Sequence, residues 1–247
     1  MRESLDALFQ VCASDIWLPE DVYPQYWELA RKHGLKPRRF QTLLDADLSE
    51  LDLAGERSWL LLPHPLVPAG RGLRSAEVDR LARWLRDSPG RVLVLDCVYC
   101  LDLPVAGALS ALLNSGQAVV LHSLSKGWLS PGLLGAAFLP EAIAAEFEPP
   151  SPQALAQARV RLSSLDAPRR IEETLRRRWR RLAPSIQARF PGWTSPETGY
   201  FSVLPAASRE LLRSHGWLAI PASVFGSPRD DLSVASCLYY GDEAALP

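Results

Sequence analysis

The sequence predicts an α/β fold: a mostly parallel sheet flanked by helices, followed by a small C-terminal α+β domain. Two observations carry this. Short apolar runs alternate with amphipathic helical stretches through the first 150 residues, the pattern of strands buried on both faces and joined by crossover helices. From Pro152 the pattern changes to a long Arg-rich helical stretch, and then to short strands around one helix. At 247 residues with 47% hydrophobic side chains, the chain can bury a sizeable core. The expected organisation is a large domain over 1–150, a connecting helix over 151–183 and a small domain over 184–247.

The elements follow in order. Tyr26–His33 reads as a short helix closed by Gly34, and Arg39–Thr42 as a strand. Trp59–Leu62, with Pro63 behind it, suits a buried parallel strand. Ser75 is placed to cap an amphipathic helix in which Val78, Leu81, Ala82 and Leu85 share a face and Glu77 and Asp79 occupy the first turn. Arg91–Asp96 is the next buried strand, then a helix around Val105–Leu113, the strand Ala118–His122 and the apolar run Leu133–Leu139. Beyond Pro152 the helical stretch is expected to break or kink at Pro168. It carries seven arginines between 169 and 181, but Glu172 and Glu173 interleave and Leu175, Trp179 and Leu182 mark an apolar stripe. That pattern is an amphipathic helix with a solvated Arg face rather than a nucleic-acid patch. The last strands are Tyr200–Leu204, Trp217–Ile220 and Leu232–Leu238, around a helix at Ser208–His215.

Composition narrows the function. A net charge of −1 creates no field for nucleic acid or anionic lipid. No apolar run approaches the ~20 residues of a membrane helix, and Met1-Arg2-Glu3-Ser4 opens no signal peptide. Four cysteines do not make a disulfide framework, so a reducing, cytoplasmic setting is expected. Cys97-Val98-Tyr99-Cys100 is a CxxC, but without a second pair or a nearby His it is poor zinc material, and its surroundings do not suit a thioredoxin-like site.

Only three of the 27 basic residues are lysines: Lys32, Lys36 and Lys126. Where Arg carries nearly all the surface charge, Lys126 in the run Ser123-Leu124-Ser125-Lys126, just after a buried strand, needs a chemical reason. Lysine is the side chain that forms Schiff bases. The hydroxyls of Ser123 and Ser125 can bind a phosphate. Asp96 ends the neighbouring strand with Tyr99 three residues on, and ligands of open α/β sheets bind beyond such strand ends. A carboxylate to keep a pyridine nitrogen protonated, a phenol, hydroxyls and a lysine are what pyridoxal 5′-phosphate (PLP) requires. His64 and His122 flank the same region, His122 as a core or supporting residue.

These residues carry a resemblance. Asp96-Cys97-Val98-Tyr99 resembles the Asp-x-x-Tyr element of the fold-type I PLP enzymes, the class I/II aminotransferases. Ser123-Leu124-Ser125-Lys126 with Pro131-Gly132-Leu133 is similar to their Ser-x-Ser-Lys…Pro-Gly-Leu-Arg segment. Leu18–Tyr26 is similar to their Pro-x-Tyr-Pro-x-Tyr stretch, and Ile220–Gly226 to the Pro-Gly-x-x-Phe-Gly turn of their small domain. The resemblance implies Lys126 as Schiff-base lysine and proton carrier, and Asp96 as partner of the pyridine nitrogen. It implies Tyr99 on the cofactor's O3′ oxygen, Tyr23 stacked on the ring, and Ser123 and Ser125 on the phosphate. It also implies a homodimer acting on a small amine or amino acid.

Three positions depart from the family. Val67 stands where an Asn would reach O3′, Leu134 where an Arg would hold the phosphate, and Ser233 where an Arg would clamp a substrate carboxylate, with Arg229 nearby. The chain also begins well into the family's large domain, without its N-terminal arm and phosphate loop. A transaminase with impaired handling of ordinary amino acids is the first expectation. The alternative is a member of the fold that has lost transamination and serves as a binding or partner subunit.

Overall fold

Register places the functional residues. In the computed structural model, which describes residues 2–12, 15–22, 24–101, 109–128, 135–147, 149–163, 166–205, 210, 212 and 218–238, nine strands form two sheets among the described residues. The larger has the order β2-β1-β3-β4-β5-β6, with β1 Ile16–Pro19, β2 Arg38–Phe40, β3 Trp59–Pro63, β4 Val92–Asp96, β5 Ala118–Ser123 and β6 Gly135–Phe138. The first five run parallel and β6 closes the edge antiparallel to β5.

Side chains alternate strictly across this sheet. Leu60, Leu62, Leu93, Leu95 and Val120 pack one core, against Val78, Leu81, Trp84 and Leu85 of helix α3 (Ser75–Arg86). Trp59, Leu61, Val94, Val119 and Leu121 pack the other, against Leu5, Leu8 and Phe9 of α1 (Arg2–Val11) and Tyr26, Leu29 and Ala30 of α2 (Gln25–Lys32). The side chains of β3, β4 and β5 are thus used on both faces, which is why these strands read as continuous apolar runs. Strand β1 and helix α1 had no place in the sequence reading; Ile16-Trp17-Leu18 is too short to announce itself.

Two expectations are corrected. Ser75 is not the cap of α3: Arg74 holds that position, and the Glu77 carboxylate accepts its backbone N–H at 2.7 Å. The long helical stretch does break, but ahead of Pro168 rather than at it, into α7 (Pro152–Leu162) and α8 (Asp166–Arg189). Pro168 sits in the first turn of α8, where a missing N–H costs nothing. Helix α8 then continues through Pro184 to Arg189, because Leu175, Trp179, Leu182 and Ile186 keep one face buried in a third core. A small antiparallel sheet, order β7-β9-β8, completes the C-terminal unit: β7 Phe201–Leu204, β8 Ile220–Pro221, β9 Ser233–Ser236. Two short helices, α4 (Ser110–Leu113) and α5 (Leu124–Gly127), flank β5, and α6 (Glu141–Ala144) follows β6. No described helix is long and apolar enough to cross a membrane. Of the helix expected around Val105–Leu113, the described part forms α4 and residues 105–108 lie outside the described residues; the helix expected over Ser208–His215 lies largely outside them.

A buried ion cluster fixes the segment between β3 and α3. Arg71 donates to both carboxylate oxygens of Glu77 (2.7 and 2.8 Å), to Asp45 and to the Leu44 and Gly72 carbonyls. Burial pushes the Glu77 carboxyl up, but the hydrogen bonds from Arg71, Arg74 N–H and Ala46 N–H, with the Arg71 charge, outweigh it and hold it below its usual value. Glu77→Gln is expected to lower stability by about 1.5–3 kcal/mol, the worth of hydrogen bonds to a charged group. Because the native pKa is depressed, that loss is present above the unfolded carboxyl's pKa and shrinks as pH falls through the folded value. Urea titrations of the variant and parent at pH 7 and pH 4 measure both effects.

Candidate active site

Strand β4 ends at Asp96, paired on its two sides with Pro63 and Leu121. The carboxylate is buried, with 7% of the residue exposed. Tyr26 Oη donates to Oδ2 at 2.6 Å and Val98 N–H to Oδ1 at 3.1 Å. Burial pushes the Asp96 carboxyl above its ordinary value, against these two hydrogen bonds, and pushes the Tyr26 phenol well up. Asp96 opens onto a cavity of about 380 Å³ lined by Val22, Pro24, Tyr26, Pro63, Val67, Tyr99, Phe201, Val224 and Phe225. Among the described lining residues it is the one charged group.

The remaining predicted residues gather beside it. Tyr99 lines the cavity and meets Tyr200 (ring centroids 5.5 Å) and Phe201 (6.1 Å). Lys126, in α5, places Nζ 5.5 Å from the Tyr99 ring centroid and 5.9 Å from that of Tyr200. Tyr99 therefore touches both the cavity that Asp96 faces and the neighbourhood of the lysine. Ser123, buried at the end of β5, accepts the Ser125 N–H at 3.2 Å, and the two hydroxyls hydrogen-bond each other. Val67 lines the cavity as an apolar side chain, where the resemblance would place an amide. Tyr23 and Leu134 lie outside the described residues.

The histidines are supporting groups. His122 is fully buried, its Nε2 3.0 Å from the Cys100 carbonyl and its ring edge-on to Trp128, so it ties the Cys97–Cys100 turn to β5. His64 donates its backbone N–H to the Asp96 carbonyl, and burial lowers its imidazole pKa to about 4, which leaves it uncharged near neutrality. Among the described residues no group of His, Cys, Asp and Glu could hold a metal ion.

The C-terminal unit supplies the opposite wall and is held there at two glycines. Gly70 (φ +72°) lies so close that a Cβ would stand 2.6 Å from the Phe201 carbonyl oxygen and from Pro196. Gly226 (φ +84°), closing the short 3₁₀ turn Ala222–Phe225, abuts the Glu20 carbonyl at the end of β1 just as tightly. Both combine a left-handed backbone with a contact that leaves no room for a side chain.

Comparison with known proteins agrees with this arrangement. The family model for aminotransferase class I and II matches residues 1–233. The chain belongs to that family. With membership comes PLP, the family's cofactor. A histidinol-phosphate aminotransferase of Burkholderia lata is 27% identical over 121 residues, a segment that is 49% of this chain and 33% of that protein. The match thus spans about a third of the curated relative. A methionine aminotransferase from Escherichia coli superposes with a TM-score of 0.75 at 20% identity, covering 95% of this chain and 71% of its own. The histidinol-phosphate aminotransferase from Clostridium acetobutylicum gives 0.74 at 15% identity, covering 96% and 76%. These likenesses establish the fold: the parallel sheet and the small C-terminal unit are those of the class I and II aminotransferases.

The site fits the family's cofactor on its own terms, because a buried carboxylate with no cationic side chain beside it among the described lining residues calls for a cationic partner such as a protonated ring nitrogen. Sequence reasoning overlooked Tyr26, although it lies in the Pro-x-Tyr-Pro-x-Tyr-like stretch. The signal was its position at the start of the helix that follows β1, beyond the carboxyl end of a parallel strand. Phe201 and Phe225 were overlooked as site residues because nothing local shows that the C-terminal unit folds over Asp96.

A buried acid with a raised pKa destabilises the protein without its cofactor. Its favourable contribution is present below the unfolded carboxyl's pKa and is lost as pH rises through the folded value. Asp96→Asn, which keeps partners for Tyr26 and Val98, is expected to raise the melting temperature of the cofactor-free protein by a few degrees at pH 7.5, since about 1 kcal/mol moves the midpoint by ~2–4 °C at this size. The margin should close as pH falls. Thermal melts between pH 4 and 8 check it, and a variant less stable than the parent at every pH would contradict the burial argument.

Proposed function

We propose that the chain is a PLP-dependent transferase resembling an aminotransferase, in which Lys126 carries the cofactor as its Schiff-base lysine and acts on an amine substrate. The observation that supports it most is Asp96, a carboxylate buried at a strand end and facing an apolar cavity that Tyr99 also lines, with Lys126 Nζ 5.5 Å from the Tyr99 ring centroid. Bound there, the cofactor supplies an aldehyde for amine capture and a ring that draws electrons from the substrate carbon.

The protein's residues do the rest. Asp96 keeps a proton at the ring nitrogen, and that cation offsets the cost of burying its charge. The Tyr26 hydroxyl fixes the orientation of the carboxylate. Tyr99 hydrogen-bonds the cofactor's O3′ oxygen, Ser123 and Ser125 hold the phosphate, and Tyr23 stacks on the ring. Lys126 moves a proton between its Nζ and the substrate carbon. The apolar walls exclude water, which strengthens every charge interaction within.

Borohydride reduction after incubation with PLP, followed by peptide mapping, tests the assignment. The expected result is a single pyridoxyl label on Lys126, weakened by Asp96→Ala. Label on Lys32 or Lys36, or none, would overturn it. A protein that takes the label but moves no amino group from any donor would instead match the reading of a binding subunit.

Assembly as a homodimer belongs to the same reading, as sites of this fold type form at subunit interfaces and oligomers of one chain favour two-fold symmetry. Sedimentation at micromolar concentration should give twice the chain mass. A monomer alone under those conditions would count against it.

A further inference from the structure

Resting on the cofactor assignment above, we propose that the substrate is an amine with an aromatic side arm and no carboxylate on its reacting carbon. The two walls of the cavity differ. One comes from the carboxyl end of the large sheet and bears Asp96 and Tyr99. The other comes from the C-terminal unit and is made of Phe201, Val224 and Phe225. That second wall presents hydrocarbon only. Phe201 and Phe225 meet edge to face with centroids 5.9 Å apart, and Tyr200 packs on Phe201 at 4.6 Å. Such an array offers further edge and face contacts to an aromatic ring entering between the walls.

Among the described lining residues of this chain a substrate carboxylate finds no cationic partner, and the one charge there, Asp96, has the same sign as a carboxylate. Arg229, the nearest candidate in sequence, is engaged elsewhere: Nε and Nη2 each reach an Asp231 oxygen at 2.6 Å, on the exposed surface. Ser233 is 1% exposed within β9, paired with Leu204 and Pro221. A carboxylate entering this cavity would shed its water without recovering an ion pair, the most expensive form of burial. The wall is also poorly able to rearrange around such a group. Gly70 and Gly226 fix Phe201 and Phe225 against the sheet through contacts with no spare room.

Stable conjugates test this without turnover. The phosphopyridoxyl group is joined through a C–N single bond to phenethylamine, ethylamine, phenylalanine or aspartate, and each conjugate is titrated against the cofactor-free protein by tryptophan fluorescence. The phenethylamine conjugate is expected to bind about tenfold or more tighter than the ethylamine conjugate, for the buried ring. It should bind about tenfold or more tighter than the phenylalanine conjugate, and more tightly still than the aspartate conjugate, for unpaired carboxylates. Phe201→Ala should narrow the phenethylamine preference while the variant still melts cooperatively. Equal or tighter binding of the carboxylated conjugates, with PLP itself bound, would overturn the substrate inference and leave the cofactor site standing. Failure of PLP and of every conjugate to bind would overturn the cofactor site, and the inference with it.

Discussion

A single buried negative charge organises this molecule. Asp96 is carried below the surface by β4, whose neighbours on both sides are parallel strands with no side chain free to reach solvent. Once there, its carboxylate has two hydrogen-bond donors, Tyr26 Oη and Val98 N–H, and no ion pair with a side chain among the described residues. The arrangement raises the energy of the folded protein near neutrality and reserves that energy for a positively charged ligand. Strain of this kind is retained where binding or catalysis recovers it.

Around that charge the fold spends its polar groups on position. His122 and the His64 backbone anchor the turns on either side, and the Arg71–Glu77 cluster holds the segment that leads from β3 to α3. None of these groups faces the cavity. What faces it is hydrocarbon and aromatic ring, so the carboxylate acts in a medium of low polarity where its field is weakly screened.

Legibility in the sequence followed the range of the interactions involved. Strands β3, β4 and β5 were plain because each is a run of apolar residues buried on both faces. Asp96, Tyr99, Ser123, Ser125 and Lys126 stood out because each lies at or just beyond such a run, and because lysine is scarce in this chain. Tyr26 could be read only as a helix residue, since its partner is 70 positions away. Phe201 read as a strand residue of the small domain and Phe225 as part of the Ile220–Gly226 turn, neither as the lining of a site. Their part in the cavity depends on Gly70 and Gly226, whose close contacts are with residues remote in sequence. The break between α7 and α8 was legible as a proline signal but set a few residues late, because a proline in a first turn starts a helix rather than ending the one before it.

The contact between Gly226 and the Glu20 carbonyl has a consequence for how the protein is made. It joins a residue just past β1 to a turn 206 positions later in the chain. The large sheet, with all its parallel pairings, can close while the C-terminal residues are still being translated, as early segments fold first during synthesis. Through that interval the apolar floor around Tyr26, Val67 and Tyr99 has no roof. A nascent chain would expose a sticky patch, and a ribosome stalled before residue 226 would release a well-formed sheet that holds no finished cavity and is prone to aggregate.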